Sequence, residues 1–226
     1  MITASIFDTK EALYQAVLRQ MGIVIQQNTS TPTALMVPGG NTPRPLFEAL
    51  AEAPIAPTPQ FYLGYTDERH VPDTDPQNNY RLTVDMIRAL ELSPFHVLRV
   101  QTHLSLEEAA ARYHMRWQDF FDQGGEIPLG LLGLGDDGHT CSLFTREQVE
   151  ACDGVTFAAP VQREPGPNRI TVTPALLARI KHIIFFVTGQ AKAAIVDAIL
   201  NNPESVTAGM AVAQAARVSL WYAPQD

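Results

Sequence analysis

Cysteine is scarce: Cys141 and Cys152 are the only two in 226 residues. A single pair in a chain of this length is no disulfide framework, and the sequence reads as a protein of the reducing cytoplasm. No apolar run reaches the ~18 residues of a membrane span. The opening MITASIFDTKEAL has no charged segment leading into an apolar one, so no signal peptide is expected. Positive charge is short too. Sixteen Lys+Arg against 24 Asp+Glu leave a net charge of −8. That excludes a basic coat for nucleic acid or anionic lipid, and an anionic ligand needs a local basic pocket. There is no G-x-S-x-G elbow for a hydrolase serine and no Walker A sequence. Internal repeats and low-complexity tracts are missing as well.

What is present is a globular composition, 46% hydrophobic and 18% charged, with no linker between contrasting halves. One domain over 1–226 is expected. Apolar β-branched runs alternate with segments of helical period. Strands are expected at Ala34–Val37, Phe61–Tyr65, His96–Val100, Leu129–Leu134, Val155–Val161, Ile170–Thr173, Ile183–Val187 and Val218–Tyr222. Helices are expected at 9–27, 43–51 (with Thr42 as N-cap and Pro43 as first residue), 78–90, 105–121 and 190–200. Ser105 and Glu108 have capping-box spacing. This alternation predicts an α/β fold, a doubly wound, mostly parallel sheet with helices on both faces. In such sheets ligands bind beyond the carboxyl ends of the strands, so the strand-to-helix turns are where chemistry belongs.

Four turns stand out. Pro38-Gly39-Gly40-Asn41-Thr42-Pro43 lets backbone approach a ligand and opens a helix whose unpaired N–H groups suit a phosphate. An ordinary tight turn would read the same way. Thr66-Asp67-Glu68-Arg69-His70-Val71-Pro72 packs ionisable residues at a strand end. It reads as a binding segment, a solvated loop, or, with Asp73 and Asp75, a metal site without recognised ligand spacing. Gly133 to Gly138 spells G-x-G-x-x-G, but Asp136 and Asp137 inside the loop would repel a pyrophosphate, and Asp153 falls before the next strand rather than after it. The dinucleotide reading is therefore rejected. What remains is His139 with Asp137 two residues before it. That is either a general base with its orienting carboxylate or a loop-capping histidine. Thr188-Gly189-Gln190-Ala191-Lys192 places a cation at a helix start, against the macrodipole. Arg44 does the same, so the two together suggest a shared anionic ligand. His70 is an alternative base. Cys141 reads as packing rather than as a nucleophile.

Taken in order from Val37 to about Lys192, these turns resemble the glucosamine-6-phosphate isomerase/6-phosphogluconolactonase family, on its lactonase side. Pro38–Pro43 resembles the family's Gly-Gly-Ser-Thr-Pro turn, with Asn41 where serine is usual. Asp67–Pro72, with Asp75 and Asn78-Asn79-Tyr80, resembles the lactonase Asp-Glu-Arg segment. Leu132–Thr140 with Ser142-Leu143-Phe144 resembles the central histidine motif, and Arg169-Ile170-Thr171 and Thr188–Lys192 resemble the later basic segments. The resemblance implies hydrolysis of 6-phospho-D-glucono-1,5-lactone in the pentose phosphate pathway, with no metal or organic cofactor. It implies His139 as general base oriented by Asp137, with Gly138 among the substrate-binding residues. Arg69, Arg169 and Lys192 would act as phosphate or oxyanion partners, and Gly39, Gly40, Asn41 and Thr42 as donors. Asp67 would meet sugar hydroxyls or tune the cations. The deaminase branch carries a glutamate five residues after the histidine. Here that residue is Phe144, and Arg69 also favours the lactonase. A sugar-phosphate sensor without catalysis is the reading from another class.

Overall fold

In a computed structural model describing residues 1–225, successive residues of the central strands enter two different cores. The elements are β1 (Ile2–Ile6), α1 (Lys10–Ile25), β2 (Thr33–Val37), α2 (Arg44–Glu52), β3 (Phe61–Tyr65) and β4 (Asp67–Arg69). Next come α3 (Asn79–Leu82), α4 (Val84–Ala89), β5 (Val97–Leu98), α5 (Leu106–Asp122) and β6 (Glu126–Leu132). The chain ends with α6 (Arg146–Glu150), β7 (Ala158–Val161), β8 (Arg169–Val172), α7 (Pro174–Leu177), β9 (Ile183–Thr188), α8 (Ala193–Asn201), α9 (Thr207–Ala211) and β10 (Val218–Ala223).

Seven strands form one sheet in the order β1-β10-β9-β6-β2-β3-β5, and every pairing in it is parallel. Side chains alternate faces along a strand. Leu35 and Val37 of β2, with Ile184 and Phe186 of β9, therefore meet Leu13, Val17 and Met21 of α1 on one face. Ala34, Met36, Ile183 and Phe185 meet Tyr113 and Trp117 of α5, with Leu176 of α7, on the other. Burial on both sides explains why these strands read as unbroken apolar runs. After β2 the chain moves to β3 on one side, whereas after β6 it returns to β9 on the other. The loops leaving β2 and β6 diverge, and the crevice opens between them.

A second sheet departs from the expected single one. β4, β8 and β7 pair antiparallel, with Arg69 opposite Arg169 and Asp67 opposite Thr171. The expected charged turn after β3 is thus partly a strand. Other boundaries shift for local reasons. The helix over 78–90 breaks at Thr83, whose hydroxyl donates to the Tyr80 carbonyl at 2.8 Å and meets the Tyr65 hydroxyl at 2.5 Å. The strand expected from Val155 begins at Ala158, because the Asp153 carboxylate first takes the N–H groups of Val155 and Thr156. The strand at 96–100 shrinks to β5 behind a 3₁₀ turn over Pro94–His96. Helix α2 starts at Arg44, and Thr42 is not its cap. Residues Gln190–Lys192 form a 3₁₀ turn before α8. The Ser105/Glu108 capping box forms as expected. Among the described residues no helix is long and apolar enough to cross a membrane.

Candidate active site

The crevice at the carboxyl ends of β2, β3, β6 and β9 holds a cavity of ≈ 190 Å³. Gly39, Gly40, Asn41, Thr42, Asp67, Arg69, His139 and Lys192 all line it, together with Thr66 and Cys141. Four turns far apart in sequence thus converge on one space.

The histidine loop closes on itself. The Gly135 N–H donates to the His139 carbonyl at 2.8 Å and the Gly138 N–H to the Gly135 carbonyl at 3.1 Å. Gly138 sits at φ 83, where a side chain is strained, and its carbonyl accepts the Ala208 N–H from α9 at 2.8 Å. Gly138 is therefore an anchor of the loop and does not line the cavity. Asp137 is off the lining too. Its Oδ1 lies 2.5 Å from His139 Nδ1 and accepts the His139 N–H at 3.2 Å. Partial burial raises the Asp137 pKa, but the hydrogen bonds and charge of His139 outweigh it, so Asp137 ends below its ordinary value. An ionised carboxylate at Nδ1 selects the Nδ1–H tautomer and leaves the Nε2 lone pair as the basic site. The His139 side chain is 26% exposed, enough for water to reach it. The Phe144 ring packs against it, with centroids 4.6 Å apart.

The cations differ in how they are held. Lys192 Nζ donates to the Leu134 carbonyl at 2.6 Å and lies 2.6 Å from Asp136 Oδ1, a carboxylate that is itself 87% exposed. Arg69 Nη1 donates to the Gln77 carbonyl at 2.9 Å and to Asn79 Oδ1 at 2.8 Å, while its Nε is buried without a partner. Arg169 does not line the cavity. Its Nη1 donates to the carbonyls of Pro167 and Asn168. Burial first, and then the charges of Arg69 and Arg163, hold its pKa below the ordinary value. Arg44 lies elsewhere, in a surface hollow with Phe47, Glu48 and Asp85. Arg44 and Lys192 therefore face different spaces and cannot share one ligand.

Asp67 lines the cavity, but both its oxygens already serve the protein. Oδ1 accepts from Asn79 Nδ2 at 3.1 Å and Oδ2 from the Ser142 hydroxyl at 2.6 Å. That makes it a tie between the β4 segment and the histidine loop more than a reader of sugar hydroxyls. The amides of Gly40, Asn41 and Thr42 donate to no protein group among the described residues and stand at the start of α2. His70 does not line the cavity, and its Nε2 donates to the Leu104 carbonyl at 2.8 Å, so it does not face the site. Cys141 combines partial core packing with a place on the cavity wall at φ 55, and burial pushes its thiol pKa far up, away from a nucleophile. No group of three His, Cys, Asp or Glu side chains close enough to hold a metal ion occurs among the described residues.

Sequence reasoning quoted Asn79, Gly135 and Ser142 within motifs but gave none of them a role. Gly135 carried a signal, since it is the middle glycine of the G-x-G-x-x-G string. A Cβ there would lie 2.2 Å from His139 Nδ1.

A parallel α/β domain that gathers a base and cations at the ends of its central strands has the layout of an enzyme for small anionic substrates. A profile of the glucosamine-6-phosphate isomerase/6-phosphogluconolactonase family matches residues 5–221, and the chain belongs to that family. The 6-phosphogluconolactonase of Homo sapiens is 35% identical over 167 residues, covering 71% of this chain and 64% of that protein, a little under two thirds of its length. That of Rattus norvegicus is 32% identical over 185 residues, covering 79% and 71%. The solved structure of a 6-phosphogluconolactonase from Thermotoga maritima superposes with a TM-score of 0.82 over 100% of both chains at 22% identity. A monomeric glucosamine-6-phosphate deaminase also superposes, with a TM-score of 0.76 over 98% of this chain and 97% of that one at 18% identity. Fold alone therefore does not separate the two branches.

Proposed function

We propose that this protein hydrolyses 6-phospho-D-glucono-1,5-lactone to 6-phospho-D-gluconate. The observation that carries the reading is His139 on the wall of a cavity that also takes Arg69 and Lys192, with the Asp137 carboxylate 2.5 Å from its Nδ1 and outside the lining. His139 Nε2 takes a proton from water as the water oxygen bonds to the lactone carbonyl carbon. The carbonyl oxygen becomes an oxyanion. Its charge suits the unpaired amides of Gly40, Asn41 and Thr42 and a nearby cation, which are in place before the charge develops. Collapse breaks the bond to the ring oxygen, which receives the proton back from the imidazolium. The new carboxylic acid then ionises to solvent. An activated ester needs only this base and an electrostatic clamp.

The rest of the constellation supports substrate binding. Arg69 and Lys192 supply positive charge in a protein of net charge −8, and Arg169 stands opposite Arg69 across the β4–β8 pair. The deaminase chemistry needs a carboxylate relayed to the histidine. The position for it is Phe144, whose ring lies against the imidazole instead.

The deciding assay mixes purified protein with freshly generated 6-phosphogluconolactone and, separately, with glucosamine-6-phosphate. Acid release from the first without ammonia from the second is expected. Ammonia release would replace this reading with the deaminase, and binding without either product would replace it with a sensor.

A further inference from the structure

Arg69 is a cation of the cleft with no carboxylate partner. It makes no salt bridge among the described residues, yet its side chain is fixed. The side chain that fixes it is a neutral amide. We propose that Asn79 is a positioning residue that aims the Arg69 guanidinium at the anionic group of the substrate, an inference that rests on the sugar-phosphate reading above.

Asn79 is 1% exposed and its groups are fully used. Nδ2 donates to the Asp67 carbonyl at 2.9 Å and to Asp67 Oδ1 at 3.1 Å, and the backbone N–H donates to Glu68 Oε1 at 2.6 Å. Two oxygens facing Nδ2 decide which way the amide points, so Oδ1 must be the atom facing Arg69. Arg69 Nη1 then has both protons occupied, one by Asn79 Oδ1 and one by the Gln77 carbonyl. Nη2 is left as the end nitrogen without a protein acceptor among the described residues. The same amide wedges against the glycine turn, because a Cβ on Gly39 would lie 1.8 Å from Asn79 Oδ1. One side chain therefore sets the distance between the Gly39 turn and the Arg69 strand.

The choice of an amide has a consequence. A carboxylate at position 79 would orient Arg69 equally well but would neutralise it and compete with an anionic ligand. An amide gives direction while leaving the positive charge uncompensated. A small residue would leave the guanidinium free to swing, and a mobile cation binds less well than one already aimed.

The test is a double-mutant cycle between Asn79→Ala and Arg69→Ala. It is read by KM and kcat for the lactone and by the Kd of 6-phosphogluconate in calorimetry, which needs no turnover. Asn79→Ala is expected to raise KM and Kd roughly 10-fold or more, the scale of a lost charge-assisted hydrogen bond. In the Arg69→Ala background the same substitution is expected to change Kd by less than about 2-fold. Equal effects in both backgrounds would mean that Asn79 acts through general packing, and the proposal would fall. If Asn79→Ala does not unfold cooperatively, Gly39→Ala displaces the same amide from the other side, and its cycle with Arg69→Ala decides in the same way. A wild-type protein that binds 6-phosphogluconate but does not cleave the lactone would sink the proposed reaction and leave the Kd cycle to judge Asn79. A wild-type protein that does neither would overturn both.

Discussion

Gly135 lacks a side chain where the His139 ring lies: a Cβ on Gly135 would stand 2.2 Å from Nδ1 and 2.6 Å from Asp137 Oδ1. The glycine is required by close approach, not by a left-handed backbone. Gly135→Ala must therefore displace the imidazole and its carboxylate from their present position. A base displaced by an ångström loses about 10²-fold in rate. The expected result is a kcat lower by about that factor, with a thermal midpoint close to wild type. Unchanged kcat in a folded Gly135→Ala protein would show that the ring does not work from this position.

Removing the base itself is the direct complement. His139→Ala is expected to lower kcat by ~10²–10⁴, the usual yield of a positioned general base. Asp137→Asn keeps the ring but loses the ionised partner that selects the Nδ1–H tautomer, so an intermediate loss is expected. Steady-state kinetics on both variants checks the order. Full activity in His139→Ala would take that residue out of the mechanism.

The part of the candidate site that was legible is the part carried by local sequence. His139 and Asp137 share one loop after a buried strand, and the Gly39-Gly40 turn ends another. The central strands were legible because burial on both faces leaves unbroken apolar runs such as Ile183–Val187, whereas edge strand β1, mostly exposed, leaves no such run and was not expected. What could not be read was long-range placement. Arg169 pairs directly opposite Arg69 across the antiparallel β4–β8 pair, yet its Nη1 is turned to the carbonyls of Pro167 and Asn168 and it stays off the cavity wall. Nothing in the sequence marks that pairing, because β4 is three charged residues long. Arg44 shows the converse error. Its helix-start position matched that of Lys192, but the side chain faces a different hollow. Asn79 stands in the Asn78-Asn79-Tyr80 stretch, but nothing local gives its role, which lies in contacts with Gly39, Asp67 and Arg69, at least ten residues away.

Lys192 offers a test of substrate charge recognition. Its ammonium faces the cleft and is shared with the exposed Asp136. Lys192→Ala is expected to raise KM for the phosphorylated lactone roughly 10-fold, on the scale of a charged hydrogen bond, and to affect the unphosphorylated lactone less. Arg169→Ala, off the cavity wall, is expected to give a smaller shift in that ratio. Asp136→Asn removes the competitor for Lys192. Exposed pairs are worth at most about 1 kcal/mol, so KM should fall only about 2- to 5-fold. Equal KM changes for both lactones in Lys192→Ala would remove it from phosphate binding.

Two groups away from the base tie stability to pH in opposite directions. Glu68 is 1% exposed and accepts N–H groups from Arg69, Asn79 and Tyr80 at 2.8, 2.6 and 2.9 Å. Burial dominates those bonds and raises its pKa from 4.5 to about 7. The native state then holds a proton that the unfolded chain has released. The Glu68 contribution is full below pH 4.5 and is lost as pH rises to about 7, an effect on the order of 3 kcal/mol. His182 runs the other way. Burial and then the charge of Arg217 lower its pKa from 6.5 to about 4, so the unfolded chain binds the extra proton and stability rises with pH across that window. Wild type should therefore show a shallow urea-midpoint profile between pH 4.5 and 7. Glu68→Gln should leave a profile that climbs with pH, and His182→Asn one that descends. A climbing profile in His182→Asn would mean that Glu68 is ionised throughout the window and that its three N–H bonds prevail over burial.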